Sequence, residues 1–234
     1  MTTELRVMTS GACTAAYRSL IPQLESLTGK SMVTVTTSIG TGETSIPNRL
    51  KRGEVADVII VADEVLRKFI ADGYALADSH TPVARSSIGI AVRAGAPAPD
   101  VSTPEAFKRT LLAAKTVAYS ASVSGNYLTQ DVYQRLGISD VMLPRSRLVT
   151  GGERTGAVVA RGEADLCCQQ FSELLPVEGI AHITALPPEF QKVSLFSAGV
   201  GSNSPDQAAA RRMIAFLTSP AAAEAIRKSG LDPA

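Results

Sequence analysis

Apolar and polar positions change period several times along the chain, and the changes mark out its elements. Leu5–Thr9 has strand character and runs into Ser10-Gly11. Over Thr14–Leu27 the apolar residues Ala15, Ala16, Leu20, Leu24 and Leu27 recur at helical spacing, which predicts one helix stopped at Thr28-Gly29-Lys30. Met32–Thr36 carries alternating β-branched residues and predicts a strand. Thr37–Thr44 is a polar loop, and Ile46–Lys51 predicts the helix after it. Beyond Gly53-Glu54, Val55–Val61 is almost continuously apolar, as suits a strand covered on both faces of a parallel sheet. Glu64–Asp72 is the next helix, with Gly73 as its stop.

Strand, helix, strand, helix, strand is the order of a doubly wound α/β unit, and it recurs. Ser87–Val92 predicts a strand and Thr103–Leu112 a helix, introduced by Ser102-Thr103-Pro104-Glu105. Val117–Tyr119 predicts a strand, Ser120–Gly125 a hydroxyl-rich loop, and Asn126–Arg135 a helix stopped by Gly137. Ala157–Arg161 leads to the strand Leu166–Gln170. Gly53–Asp57 reads Gly-Glu-x-Ala-Asp, and Gly162–Asp165 reads the same without the spacer. Each precedes an apolar strand, so two similar lobes are expected. Val193–Ala198 adds a strand; Asp206–Leu217 and Ala221–Lys228 are closing helices that end at Gly230.

Composition narrows the function classes. With 45% hydrophobic and 19% charged residues the chain can bury a core. Its 23 Lys+Arg against 22 Asp+Glu, with no basic cluster, disfavour a nucleic-acid partner. Tryptophan is absent. The three cysteines, Cys13, Cys167 and Cys168, are a poor disulfide framework, and the two histidines lie far apart, so no metal site is expected. No apolar run approaches the ~20 residues of a membrane span. The first residues lack the features of an export signal. A cytoplasmic protein is therefore expected for the chain as written, or a periplasmic one if it is a trimmed mature form.

The candidate chemistry lies in loops that follow predicted strands. In open α/β sheets ligands bind at strand carboxyl ends, beside helix N-termini whose free N–H groups favour anions. Ser10-Gly11, Thr37-Ser38-Ile39-Gly40, Ser120–Gly125 (with Ser122 and Ser124) and Gly151-Gly152-Glu153-Arg154-Thr155 occupy such places. Their hydroxyls and glycines suit an anion cradle, although the same residues are ordinary caps and turn formers. Arg85, next to Ser86, and Arg154 add guanidinium forks that match carboxylates. Tyr127 is placed to donate to a ligand or to pack. Glu153 is the carboxylate expected near the site, paired with Arg154 or acting as a base.

The run from Ala210 to Ala222, with Ile226–Pro233, resembles the closing helices of type 2 periplasmic binding proteins; Leu5–Gly11 and Ser38–Asp63 resemble the molybdate-binding branch of that superfamily. The resemblance implies two doubly wound lobes joined by two crossover strands, near Pro82–Ile90 and Gln191–Gly199, with a ligand cleft between them. Lobe one would be residues 1–83 with 198–234, and lobe two residues 84–197. It further implies that Ser10 and Ser38 supply lobe-one hydroxyls, Ser124 a lobe-two hydroxyl and Gly152 a backbone amide. Gln170 stands where that branch often has tyrosine, which turns the expectation from molybdate toward a di- or tricarboxylate.

Two functions remain open. One is a cofactor-free isomerase: the aconitate isomerases are similar to this branch as a whole, which implies an allylic proton shift between cis- and trans-aconitate, with Glu153 or Tyr127 as the acid–base group. The other is a solute receptor for a molybdate-like oxyanion or an organic acid, with an ABC permease as partner if the chain is exported. The ligand in either case is a small anion.

Overall fold

A computed structural model describes residues 3–36, 42–150 and 152–234. The chain divides into two compact units, residues 1–86 with 194–234 and residues 87–193. In chain order the elements are β1 (Glu4–Thr9), α1 (Gly11–Ser19), α2 (Ile21–Thr28), β2 (Ser31–Thr36), α3 (Ile46–Lys51), β3 (Val58–Ala62), α4 (Asp63–Ala71), β4 (Thr81–Ser86), β5 (Ile88–Arg93), α5 (Pro104–Ala113), β6 (Val117–Ser120), α6 (Val123–Asn126), a π-helical turn (Tyr127–Val132), α7 (Tyr133–Leu136), α8 (Ser139–Met142), β7 (Ser146–Val149), α9 (Thr155–Ala160), β8 (Leu166–Gln170), α10 (Phe171–Leu174), β9 (Ile180–Ala185), β10 (Ser194–Val200), α11 (Gln207–Leu217), α12 (Pro220–Lys228) and β11 (Asp232–Pro233).

The first unit holds a six-stranded sheet in the order β11-β4-β10-β3-β1-β2. β1 runs parallel to β2 and β3, and β10 runs antiparallel to both β3 and β4. The carboxyl ends of β1, β2, β3 and β4 therefore share one edge. Every residue of β3 is buried, with Ile59 and Val61 packed among Met8, Ile46, Leu66 and Phe69. Burying side chains of this kind stabilises by about 1.5–3 kcal/mol each. The helix expected over Thr14–Leu27 is two helices. Pro22 enters at the first turn of α2, where its missing N–H costs nothing but cannot continue the ladder of α1, and the Leu20 N–H instead closes a tight turn on the Tyr17 carbonyl at 3.0 Å.

The second unit holds a five-stranded sheet in the order β7-β6-β8-β5-β9. β6 is parallel to β7 and β8, while β5 is antiparallel to β8 and β9. Helices cover both faces. Leu166 and Cys168 enter a core with Phe107, Leu128 and Tyr133, and Cys167 enters the opposite one with Val158, Val159 and Leu174. All three cysteines are buried, and none is in a disulfide. Burial pushes the Cys167 thiol up to about 12 and raises Cys168 as well.

The repeated Gly-to-Asp segment does the same work in each unit. Gly53 and Gly162 take left-handed φ values of 76° and 75°, just after α3 and α9. The Asp57 carboxylate accepts the Arg6 N–H at 2.7 Å, and its own N–H bonds the Arg6 carbonyl at 2.8 Å. The Asp165 carboxylate accepts the Lys115 and Thr116 N–H groups at 2.6 and 3.0 Å, and its N–H bonds the Thr116 carbonyl at 2.9 Å. Val7 then sits opposite Val58, and Val117 opposite Leu166. The aspartates fix the register of each parallel pair, and so fix where the strand-end loops begin.

Candidate functional site

In the first unit Ser10 follows β1 and opens α1. Its N–H bonds the Ile60 carbonyl at 2.9 Å, and its carbonyl accepts the Thr14 hydroxyl at 2.9 Å. Its own hydroxyl is buried and has no hydrogen-bond partner among the described residues. An unmet buried hydroxyl costs about 1–3 kcal/mol, so its retention at a helix N-terminus beside Gly11 suits a group that waits for an external acceptor. Ser45, fully buried before α3, has the same unmet hydroxyl. Ser38, expected as a ligand hydroxyl, lies outside the described residues. Ser86 ends β4, buried, opposite Ser194. Arg85 is exposed on β4 opposite Asp232, with its guanidinium on the Pro233 carbonyl at 3.5 Å.

Asp63 begins α4 immediately after β3. It accepts the Ser197 hydroxyl at 2.6 Å, His80 Nε2 at 2.6 Å and Arg67 Nε at 2.7 Å. Burial works to raise this carboxyl, but hydrogen bonds from Ser197, Arg67 and His80 outweigh it and hold the group below its ordinary range. A carboxylate so committed is a brace between α4, β10 and the segment before β4.

In the second unit the loops after β6, β7 and β8 share the edge at which these parallel strands end. After β6, the hydroxyls of Ser120, Ser122 and Ser124 form a chain, at 2.9 and 3.1 Å. Gly125 is required here: a Cβ would stand 1.8 Å from the Ser120 carbonyl oxygen. After β7, Gly152 adopts φ 81° and Arg154 caps α9. At the end of β8, Gln170 is buried. Gln169, also buried, accepts the Thr155 hydroxyl through its amide oxygen.

Two expected site residues are engaged elsewhere. Glu153 does not pair with its neighbour Arg154; its carboxylate bonds Arg161, the residue that ends α9, at 2.7 Å, both exposed. The Tyr127 hydroxyl accepts from Arg135 at 3.2 Å, its ring lies 5.3 Å from the Lys192 ammonium, and its body packs on the core.

Glu173, in α10 just after β8, was not among the expected residues. Burial pushes its carboxyl up to about 7, against the lowering influence of a hydrogen bond from Gln169 and of the nearby Arg154 charge. A Phe-Ser-Glu-Leu stretch reads as an ordinary helical turn; the partners that mark Glu173 come from β8 and the loop before α9. Among the described residues no cluster of three or more His, Cys, Asp or Glu is placed to hold a metal, and no helix is long and apolar enough to cross a membrane.

Comparison with known proteins gives the following. The family profile described as bacterial extracellular solute-binding protein matches residues 5–232. A protein of Pseudomonas sp. named aconitate isomerase is 41% identical over 232 residues, covering 99% of this chain and 88% of that protein. Among solved structures, the periplasmic molybdate-binding protein of Azotobacter vinelandii superposes with a TM-score of 0.75 at 18% identity, covering 97% of this chain and 98% of that one. The sulfate-binding protein SubI of Mycobacterium tuberculosis gives 0.74 at 14%, covering 99% and 87%. At such identities these two likenesses concern the fold alone.

Proposed function

We propose that this chain isomerises a small unsaturated tricarboxylate of the aconitate type, and the premise is its family: it belongs to the bacterial extracellular solute-binding proteins, matched from residue 5 to residue 232. The observation that carries the reading is the 41% identity, across 99% of the chain, to a protein named aconitate isomerase. The residues are compatible with a carboxylate-rich ligand. Ser10 offers a hydroxyl with no partner among the described residues at the start of α1. Ser122, Ser124 and the N–H groups around Gly125 offer further donors. Arg154 offers a planar fork for a carboxylate. Gln170, an amide, replaces the tyrosine expected for a molybdate site. Gly11, Gly152, Arg85 and Ser86 complete the proposed binding residues.

The reaction moves a proton from one end of a three-carbon allylic unit to the other. It needs donors aimed at the negative charge that develops as the proton leaves, and one acid–base group in reach of the carbon. No cofactor is invoked, since no electrons leave or enter the substrate. The family description supports action outside the cytoplasm.

Solute capture without turnover is the second reading, favoured by the family description and by the binding proteins that share the fold. The purified chain is incubated with trans-aconitate and the products are separated by chromatography. Appearance of the cis isomer supports the isomerase. Binding by calorimetry with no cis isomer at high protein concentration supports the receptor instead.

A further inference from the structure

We propose that the Glu173 carboxyl carries the proton in this shift, an inference that rests on the isomerase reading above. The topology puts α10 at the edge where β6, β7 and β8 end, beside the Ser120–Gly125 and Gly152–Arg154 loops. The carboxyl is held by a hydrogen bond: Thr155, first residue of α9, donates to the Gln169 amide oxygen, which leaves the Gln169 NH2 to donate to Glu173. The charge of Arg154, one residue earlier, lowers the same carboxyl. The other side of α10 is anchored by Phe171 and Leu174 against Gly89 of β5, where an added Cβ would stand 3.1 to 3.3 Å from their rings and methyls. Glu173 as a residue is of intermediate exposure, so part of its side chain meets solvent while the carboxyl end is desolvated.

Two other carboxylates of the same unit are occupied: Glu153 is tied to Arg161, and Asp165 to strand N–H groups. Among the described residues Glu173 forms no ion pair within 4.0 Å. The charge that acts on it is that of Arg154. The β8 thiols, Cys167 and Cys168, are raised by burial and stay neutral. Ile88–Val92 of β5 carries no titratable side chain. A carboxyl that ionises near 7 is suited to give and take a proton at neutral pH.

The step balances without a co-reactant. The Glu173 carboxylate takes a proton from the methylene carbon of trans-aconitate: a C–H bond breaks and an O–H bond forms. The electron pair spreads over the allylic unit and its carboxylates, with Arg154 and the donor hydroxyls opposing the charge. The double bond migrates, and the same O–H returns its proton to the other terminal carbon. Glu173 ends as it began.

The test compares wild type, Glu173→Gln and Glu173→Asp for trans-aconitate turnover across pH, and for trans-aconitate binding by calorimetry. The expected result is a fall in kcat of about 10²–10⁴-fold in Glu173→Gln, with Kd within about threefold of wild type. Glu173→Asp should recover part of the rate. The wild-type kcat/KM should show an ionisation near 7 that moves in Glu173→Asp. A Glu173→Gln variant as fast as wild type overturns the assignment alone, and so does a wild-type profile with no ionisation near 7. No turnover by wild type overturns the isomerase reading, and the assignment falls with it.

Discussion

Glu153 reaches Arg161 at 2.7 Å, whereas the charge of Arg154, its neighbour in the chain, lowers the Glu173 carboxyl. Adjacent residues of one loop thus serve different ends, one at the surface and one at the proposed site. Glu153→Gln is expected to change stability by less than about 1 kcal/mol, as partly exposed ion pairs do, and to leave kcat/KM within about twofold. Arg154→Ala is expected to weaken trans-aconitate binding by roughly 2–5 kcal/mol if the guanidinium meets a desolvated carboxylate. Removing that cation should also move the ionisation of Glu173 upward, since Arg154 lowers it. Calorimetry and a pH series on both variants check these outcomes; the reverse ranking of the two would contradict them.

Ser10→Ala separates binding from stability. The Ser10 hydroxyl makes no cap bond to α1 and has no partner among the described residues, so alanine removes an unmet polar group and loses no interaction seen there. The ligand-free variant should be as stable as wild type or more so, by up to about 1–3 kcal/mol, and should bind trans-aconitate about tenfold more weakly. Denaturant melts and titrations measure the two quantities. A less stable variant with normal affinity would assign Ser10 to the scaffold.

Gly125→Ala puts a methyl 1.8 Å from the Ser120 carbonyl oxygen, a position where backbone must move. The hydroxyl chain from Ser120 to Ser124 should be broken by it. We expect a loss of at least about 1–3 kcal/mol in stability, the range for overpacked sites, and loss of ligand binding. Normal melting with normal affinity would show that the loop relaxes freely.

The alternation of periods is enough to read the doubly wound pattern, because strands such as Val58–Ala62 and Leu166–Gln170 are covered on both faces and must be apolar throughout. Edge strands escape this rule. β7 exposes Arg147 and Leu148, and β9 bends at His182, whose φ is 53°; neither carries a strand period, and neither was expected. The loops with hydroxyls and glycines are legible for a local reason, since turn, cap and anion contact all use those residues. Glu173 is not legible, because its desolvation and its partners Gln169 and Arg154 come from elements that meet only in the fold.

Glu173 also makes stability depend on pH. Burial keeps it protonated in the folded chain up to about 7, whereas an unfolded glutamate ionises near about 4.3. Between those values the folded state binds the extra proton, so its stability is fullest at low pH and declines as pH rises through 7, by up to about 4 kcal/mol. Glu173→Gln should therefore melt like wild type near pH 4 and above it at pH 8. Equal melting at both would show that the carboxyl is freely solvated.

The most direct test of isomerase activity is a proton NMR time course of trans-aconitate with the purified chain in D2O. The cis resonances should grow with time. A spectrum that stays purely trans, with protein at substrate-level concentration and binding confirmed on the same sample, would contradict the account.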